Sequence, residues 1–196
     1  MAGDYQYDVF LSYSNTPDVR DWVLNHFYPN FHPALRQALG GRRERVFIDR
    51  EEIKIGQHWP QRLKQAIRES VCLVPVWSPV YFQSDWCWSE WQSFCKREEV
   101  LGLNLETETL VIPIVHNDRE WFPKKARDVQ SEDFSKLNYR TPAFRDTPRY
   151  VDFEQKIQIF AGRVAEVVRR SPPYDPNWPI VNEPAPPPPA VPMPRL

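Results

Sequence analysis

The run VCLVPVW, residues 71–77, constrains the fold of this chain more than any other stretch, because it is apolar throughout rather than alternating. A strand with one wet face alternates polar and apolar residues. A continuous apolar run therefore belongs to a strand covered on both faces, as in a parallel sheet held between helical layers. TLVIPIV at 109–115 has the same character. YDVFLSY at 7–13 reads as a short aromatic-rich buried strand, and RVFID at 45–49 as another.

Helical patterns separate these strands. Thr16, Pro17 and Asp18 make a helix start with proline in the first turn, followed by Val19, Trp22, Val23 and Phe27 at helical spacing. Pro29 and Pro33 are expected to break or kink this helix before it resumes through ALRQAL and stops at Gly40-Gly41. HWPQRLKQAIRES places Trp59, Leu63, Ala66 and Ile67 on one apolar face, and SDWCWSEW opens a third helix. A long irregular segment follows the strand at 109–115. The last helix spans YVDFEQKIQIFAGRVAEVVRR, with Phe153, Ile157, Phe160 and Val164 on its stripe. Alternating strands and helices define an α/β domain with a mainly parallel sheet.

The chain of 196 residues contains 21 prolines against 6 glycines, and the excess proline sits after residue 170. Residues 1–170 are expected to form one domain. Residues 171–196 are expected to form a proline-rich tail without a packed core, its run PAPPPPAVPMP favouring polyproline II. Extended at about 3.1 Å per residue, such a tail reaches about 80 Å. It reads either as a disordered end or as a ligand for an aromatic groove on a partner.

A formal charge of −1 supplies no basic field for nucleic acid or an anionic membrane, so no direct partner of either kind is expected. No apolar run approaches a membrane span, and the first residues lack the pattern of a secretory signal, which points to the cytoplasm. Cys72, Cys87 and Cys95 form no CxxC pair and are expected to be reduced. His26, His32, His58 and His116 have no metal-ligand spacing, so no metal site is expected.

Three segments together resemble the TIR (Toll/interleukin-1 receptor homology) family. YDVFLSYS is similar to its first box, VFIDREEIKIGQHWPQRLKQAIRES to its second box with the BB loop, and VCLVPVWSPVYFQSDWCWSEW to the strand, serine turn and Trp-Cys-x-x-Glu helix that follow. The likeness runs from about Tyr7 to Arg170. It implies a flavodoxin-like fold, a central and mainly parallel five-stranded sheet with helices on both faces, and it favours the bacterial-type, NAD-cleaving branch.

In that branch a glutamate in a Trp-x-x-x-Glu arrangement cleaves the nicotinamide-ribose bond of NAD+. Trp86-Cys87-Trp88-Ser89-Glu90 matches it, so the resemblance assigns catalysis to Glu90 and substrate contact to Trp86. Residues four apart share a helix face, which would present an aromatic surface and a carboxylate to one cavity. A carboxylate beside the sugar suits this chemistry, because departure of the cationic nicotinamide leaves an oxocarbenium-like ribose. Trp88 and Trp91 read as packing residues, and Cys87, without a neighbouring histidine in sequence, is not expected to act as a nucleophile.

The resemblance also points to Tyr13, Ser14 and Lys54 as nucleotide contacts. Several animal relatives carry an arginine after the first-box tyrosine, where this chain has Ser14 and Asn15. Arg42, Arg43 and Arg45 are a further source of positive charge, read as an ordinary solvated turn. There is no GxGxxG or GxxxxGK[ST] loop. NAD+ is the implied substrate and no cofactor is expected. The implied products are nicotinamide with ADP-ribose or a cyclic ADP-ribose isomer, made by an assembly-activated immune or antiphage effector. The implied partners are other TIR domains, bound head-to-tail through the BB loop at about Glu51 to Gly56 as a homo-oligomer or filament. The alternative is a non-catalytic adaptor acting through TIR-TIR and tail contacts. A weaker third option is a nucleotide-binding sensor.

Overall fold

The computed structural model describes residues 4–48, 59–104 and 108–181. Its strands are β1 (Tyr7–Tyr13), β2 (Val46–Ile48), β3 (Ser70–Trp77), β4 (Ile114–Val115) and β5 (Glu132–Asp133). All adjacent pairs are parallel and the order is β2-β1-β3-β4-β5. This is the flavodoxin-like order, in which the chain leaves β1 toward one edge and returns through β3 toward the other. Every residue of β3 is buried, as its unbroken apolar sequence requires.

Two helical layers cover the sheet. One contains α1 (Pro17–Trp22), α2 (Tyr28–Ala38) and α6 (Arg149–Arg169), whose Trp22, Phe31, Leu35, Phe153, Ile157 and Phe160 pack over Val9, Leu11, Val74 and Ile114. The other contains α3 (Trp59–Glu69), α4 (Asp85–Leu101) and the short α5 (Lys124–Arg127), whose Leu63, Ile67, Trp91, Phe94 and Ala126 pack over Phe10, Leu73 and Trp77. Ser84 caps α4 by accepting from Cys87 N–H, and Gly102 ends it in the left-handed conformation, φ 64°.

Three expectations about helices and strands need correction. The first helix does not break at its prolines: α1 runs through a π-helical turn, Val23–Phe27, straight into α2, which contains both Pro29 and Pro33. The π turn widens the register just before Pro29, with Tyr28 N–H reaching back to Val23 C=O, so the proline falls in a first turn where no donor is needed. The fourth strand is much shorter than its apolar run. Leu110 and Val111 give their N–H groups to the buried carboxylate of Glu98 at 2.6 and 3.1 Å, and Pro113 has none to give. Only a bridge at Val111 and the pair Ile114–Val115 join the sheet. The fifth strand lies within the segment read as irregular, where alternation is too short to show.

Composition alone places residues 171–181 in the tail, yet they pack on the domain. Trp178 is 4% exposed, donates to the Tyr5 hydroxyl at 3.2 Å and lies under the guanidinium of Arg97. Its carbonyl accepts from Arg68 at 3.0 Å. Val181 is held at both backbone groups, accepting from Ser89 Oγ at 2.6 Å and donating to Ser93 Oγ at 2.9 Å. Residues 182–196, including the polyproline run, lie outside the described residues.

Candidate functional site

Glu90 lies in the second turn of α4, and its side chain is 2% exposed. A carboxylate moved from water into a protein interior needs polar partners to stay there. The Ser12 hydroxyl, from the last turn of alternation in β1, donates to Glu90 Oε2, and Tyr81 Oη lies 2.9 Å from Ser12 Oγ. Because the serine proton is committed to Glu90, the Tyr81 phenol is the donor of the second bond. Burial holds the Tyr81 pKa well above that of a free phenol, with Cys87 and Glu90 adding to the effect, so this donor keeps its proton.

The position of the carboxylate follows from topology. Ser12 pairs in register with Pro75 of β3, so Glu90 meets the sheet where β1 and β3 adjoin, toward their C-terminal ends. In the order 2-1-3-4-5 this is the switch point, the place where open α/β sheets bind ligands. Trp86, one helical turn before Glu90, is half-buried against the hydrophobic cluster that contains Trp77, Tyr81 and Trp91. Trp91 itself is core, packed edge-on against Trp77 and Trp88 at 5.4 and 5.2 Å.

The other expected contacts are distributed differently. Tyr13 is 7% exposed and belongs to the opposite hydrophobic layer from Glu90. Ser14 is buried just beyond it, 3.4 Å from the Thr16 hydroxyl. Lys54 and the BB loop, Glu51 to Gly56, lie outside the described residues. Arg42 and Arg45 bind Asp8 at the N-terminal end of β1, at the far end of the strand from Glu90. Ser12 and Tyr81 were not singled out from sequence. Strand alternation contains the signal for Ser12: with Phe10 facing α3 and α4, Ser12 faces them too, whereas Tyr13 faces away.

None of the three cysteines forms a disulfide among the described residues. Burial pushes the Cys72 thiol up and the Cys95 thiol up to about 12, which removes both as thiolate nucleophiles at neutral pH. No group of three or more potential metal ligands is gathered among the described residues.

A five-stranded parallel sheet of flavodoxin order, covered by helices on both faces, defines the flavodoxin-like class of α/β domain. A family model for the TIR domain matches residues 9–147, and the chain belongs to that family. Among curated proteins it is similar to disease resistance protein RPS6 of Arabidopsis thaliana, 30% identical over 155 residues, which is 79% of this chain. The chain spans 11% of the length of the curated relatives it matches. Among solved structures it is similar to the TIR domain of the Toll-related receptor TRR-2 from Hydra magnipapillata, with 21% identity over 77% of this chain and 98% of that one, and a TM-score of 0.45. It is also similar to the TIR domains of the activated Roq1 resistosome, with 25% identity over 82% and 84% of the two chains and a TM-score of 0.42.

Proposed function

We propose that this TIR domain cleaves the nicotinamide-ribose bond of NAD+, with Glu90 as the catalytic carboxylate. The observation that supports this most is the burial of Glu90 at the switch point, one helical turn from the half-buried Trp86. In the reaction the glycosidic electron pair leaves with the ring nitrogen, converting a cationic pyridinium into neutral nicotinamide. Positive charge then develops on the ribose. A carboxylate in a site of low polarity stabilises that charge far more than one in water. Water that loses a proton completes hydrolysis to ADP-ribose, and attack by an adenine nitrogen gives a cyclic isomer instead. Trp86 serves as an aromatic surface against the substrate, and Tyr13, Ser14 and Lys54 remain the proposed nucleotide contacts.

The biological setting is part of the same proposal. A relative named as a disease resistance protein supports an immune effector. That relative is a plant protein, so the bacterial-type, antiphage assignment rests on the sequence boxes alone. Activity is assigned to assemblies in which the BB loop, Glu51 to Gly56, meets a second copy, a head-to-tail contact that propagates as a filament. The polyproline run is assigned to a partner groove. No described helix is long and apolar enough to cross a membrane, and we assign the chain to the cytoplasm, where thiols outside disulfides are the rule.

The test compares native protein and Glu90→Gln, following assembly by light scattering and nicotinamide release by chromatography. The variant should assemble like the native chain and release nicotinamide about 10²–10³-fold more slowly. Assembly by both without release by either replaces the enzyme with an adaptor.

A further inference from the structure

Buried polar atoms in folded proteins almost always have partners, so a pair of neighbouring exceptions calls for an explanation. Ser78 and His116 are 1% and 3% exposed, and neither Ser78 Oγ nor His116 Nε2 has a hydrogen-bond partner among the described residues. Both follow directly on strand ends. β3 and β4 pair Val76 with Ile114 and Trp77 with Val115, and His116 N–H donates to Trp77 C=O at 2.8 Å. Ser78 and His116 are the next step of that register. Val76 and Ile114 face the α1, α2 and α6 layer whereas Trp77 and Val115 face the other, so alternation carried one step past the strand ends assigns Ser78 and His116 to the first face, where His116 meets Trp22.

The imidazole is fixed in orientation and in protonation. The Trp22 ring packs edge-on against it at 5.1 Å, and Nδ1 lies 3.2 Å from Asn117 Oδ1. An amide oxygen only accepts, so the proton sits on Nδ1 and Nε2 is left as a bare acceptor. Burial lowers the His116 pKa, which keeps that lone pair available at neutral pH. Beside it, the Ser78 hydroxyl can donate.

We propose that Ser78 and His116 form a second recognition point at the C-terminal edge of the sheet, across the strand ends from Glu90, for an uncharged group that offers a donor and an acceptor together. A carboxamide fits best: its N–H donates to His116 Nε2 while its oxygen accepts from Ser78. The nicotinamide carboxamide has this chemistry, and a ribose diol is the other source within a nucleotide. The choice of ligand class rests on the NAD+ reading of the site, whereas the unsatisfied pair does not.

The test uses the full chain labelled with 15N-histidine, with the His116 signals assigned through His116→Gln, titrated separately with nicotinamide, NAD+ and ADP-ribose. Nicotinamide and NAD+ should move the His116 Nε2 resonance, and ADP-ribose, which lacks the carboxamide, should not. His116→Phe and Ser78→Ala should each weaken nicotinamide binding about tenfold, the worth of one neutral hydrogen bond. Movement with ADP-ribose and NAD+ but not with nicotinamide would keep the recognition point and assign it to the ribose. If no ligand moves Nε2, or if ligands bind and leave it unmoved, the proposal is overturned. Movement of His116 in a native protein that releases no nicotinamide would overturn the catalytic reading alone.

Discussion

The Ser12 hydroxyl on β1 donates its hydrogen to the Glu90 carboxylate on α4, and both side chains are buried. This contact joins the strand that begins the sheet to the helix that follows its central strand. It also orders a short relay, from the Tyr81 phenol to Ser12 to Glu90. The carboxylate is thereby held at the switch point with its charge partly compensated, and the local fold and the proposed chemistry depend on the same atoms.

Ser12→Ala removes a donor from a buried carboxylate. The expected loss of stability is about 1–3 kcal/mol, read by urea denaturation, together with slower nicotinamide release. Tyr81→Phe keeps the ring and removes only the phenol that holds Ser12, so its effects should have the same sign and be smaller.

Trp86 and Trp91 should separate in opposite ways. Trp91 is core, and Trp91→Ala should cost about 3–5 kcal/mol of stability. Trp86→Ala should cost much less stability and should instead lower kcat/KM for NAD+. Paired thermal melts and initial rates on the two variants check this.

The segment 171–181 should behave as part of the domain. Trp178 fills a buried site between Tyr5 and Arg97, so Trp178→Ala is expected to cost about 3–5 kcal/mol. A chain ending at residue 170 should melt at a lower temperature than one ending at residue 181.

Stability should also depend on the buried histidines. Burial lowers the pKa of both His26 and His116 in the folded protein. The unfolded chain therefore binds protons first as pH falls, so the stability present above about pH 6.5 is lost below it. Denaturation midpoints measured from pH 7.5 downward should fall across this window, and the slope should be shallower in His116→Gln.

Much of this was legible in the sequence. β1 occupies the residues its sequence indicated, and β3 extends the expected run by one residue at its start, because unbroken apolar runs have few other solutions. The elements that were missed are those decided by distant partners. The Glu98 carboxylate takes backbone donors from the run at 109–115, and β5 forms only because β4 offers an edge. Trp178 reads as tail until Tyr5 and Arg97 are brought beneath it. At the site, a motif indicates Glu90, while Ser12 and Tyr81 emerge only when β1 and the loop after β3 converge on α4. The basic turn at Arg42 to Arg45 is committed to Asp8, a pairing across the entrance to two strands that local sequence does not specify.

The most direct measurement is the initial rate of nicotinamide release from NAD+ by concentrated native protein beside Glu90→Gln, with equal folding of the two verified by melting. Glutamine keeps the size of the side chain and an oxygen acceptor for Ser12 but removes the charge that the developing ribose cation needs. The account predicts release by the native chain and a fall of about 10²–10³-fold in the variant. Equal release by both proteins would contradict the assignment of catalysis to Glu90.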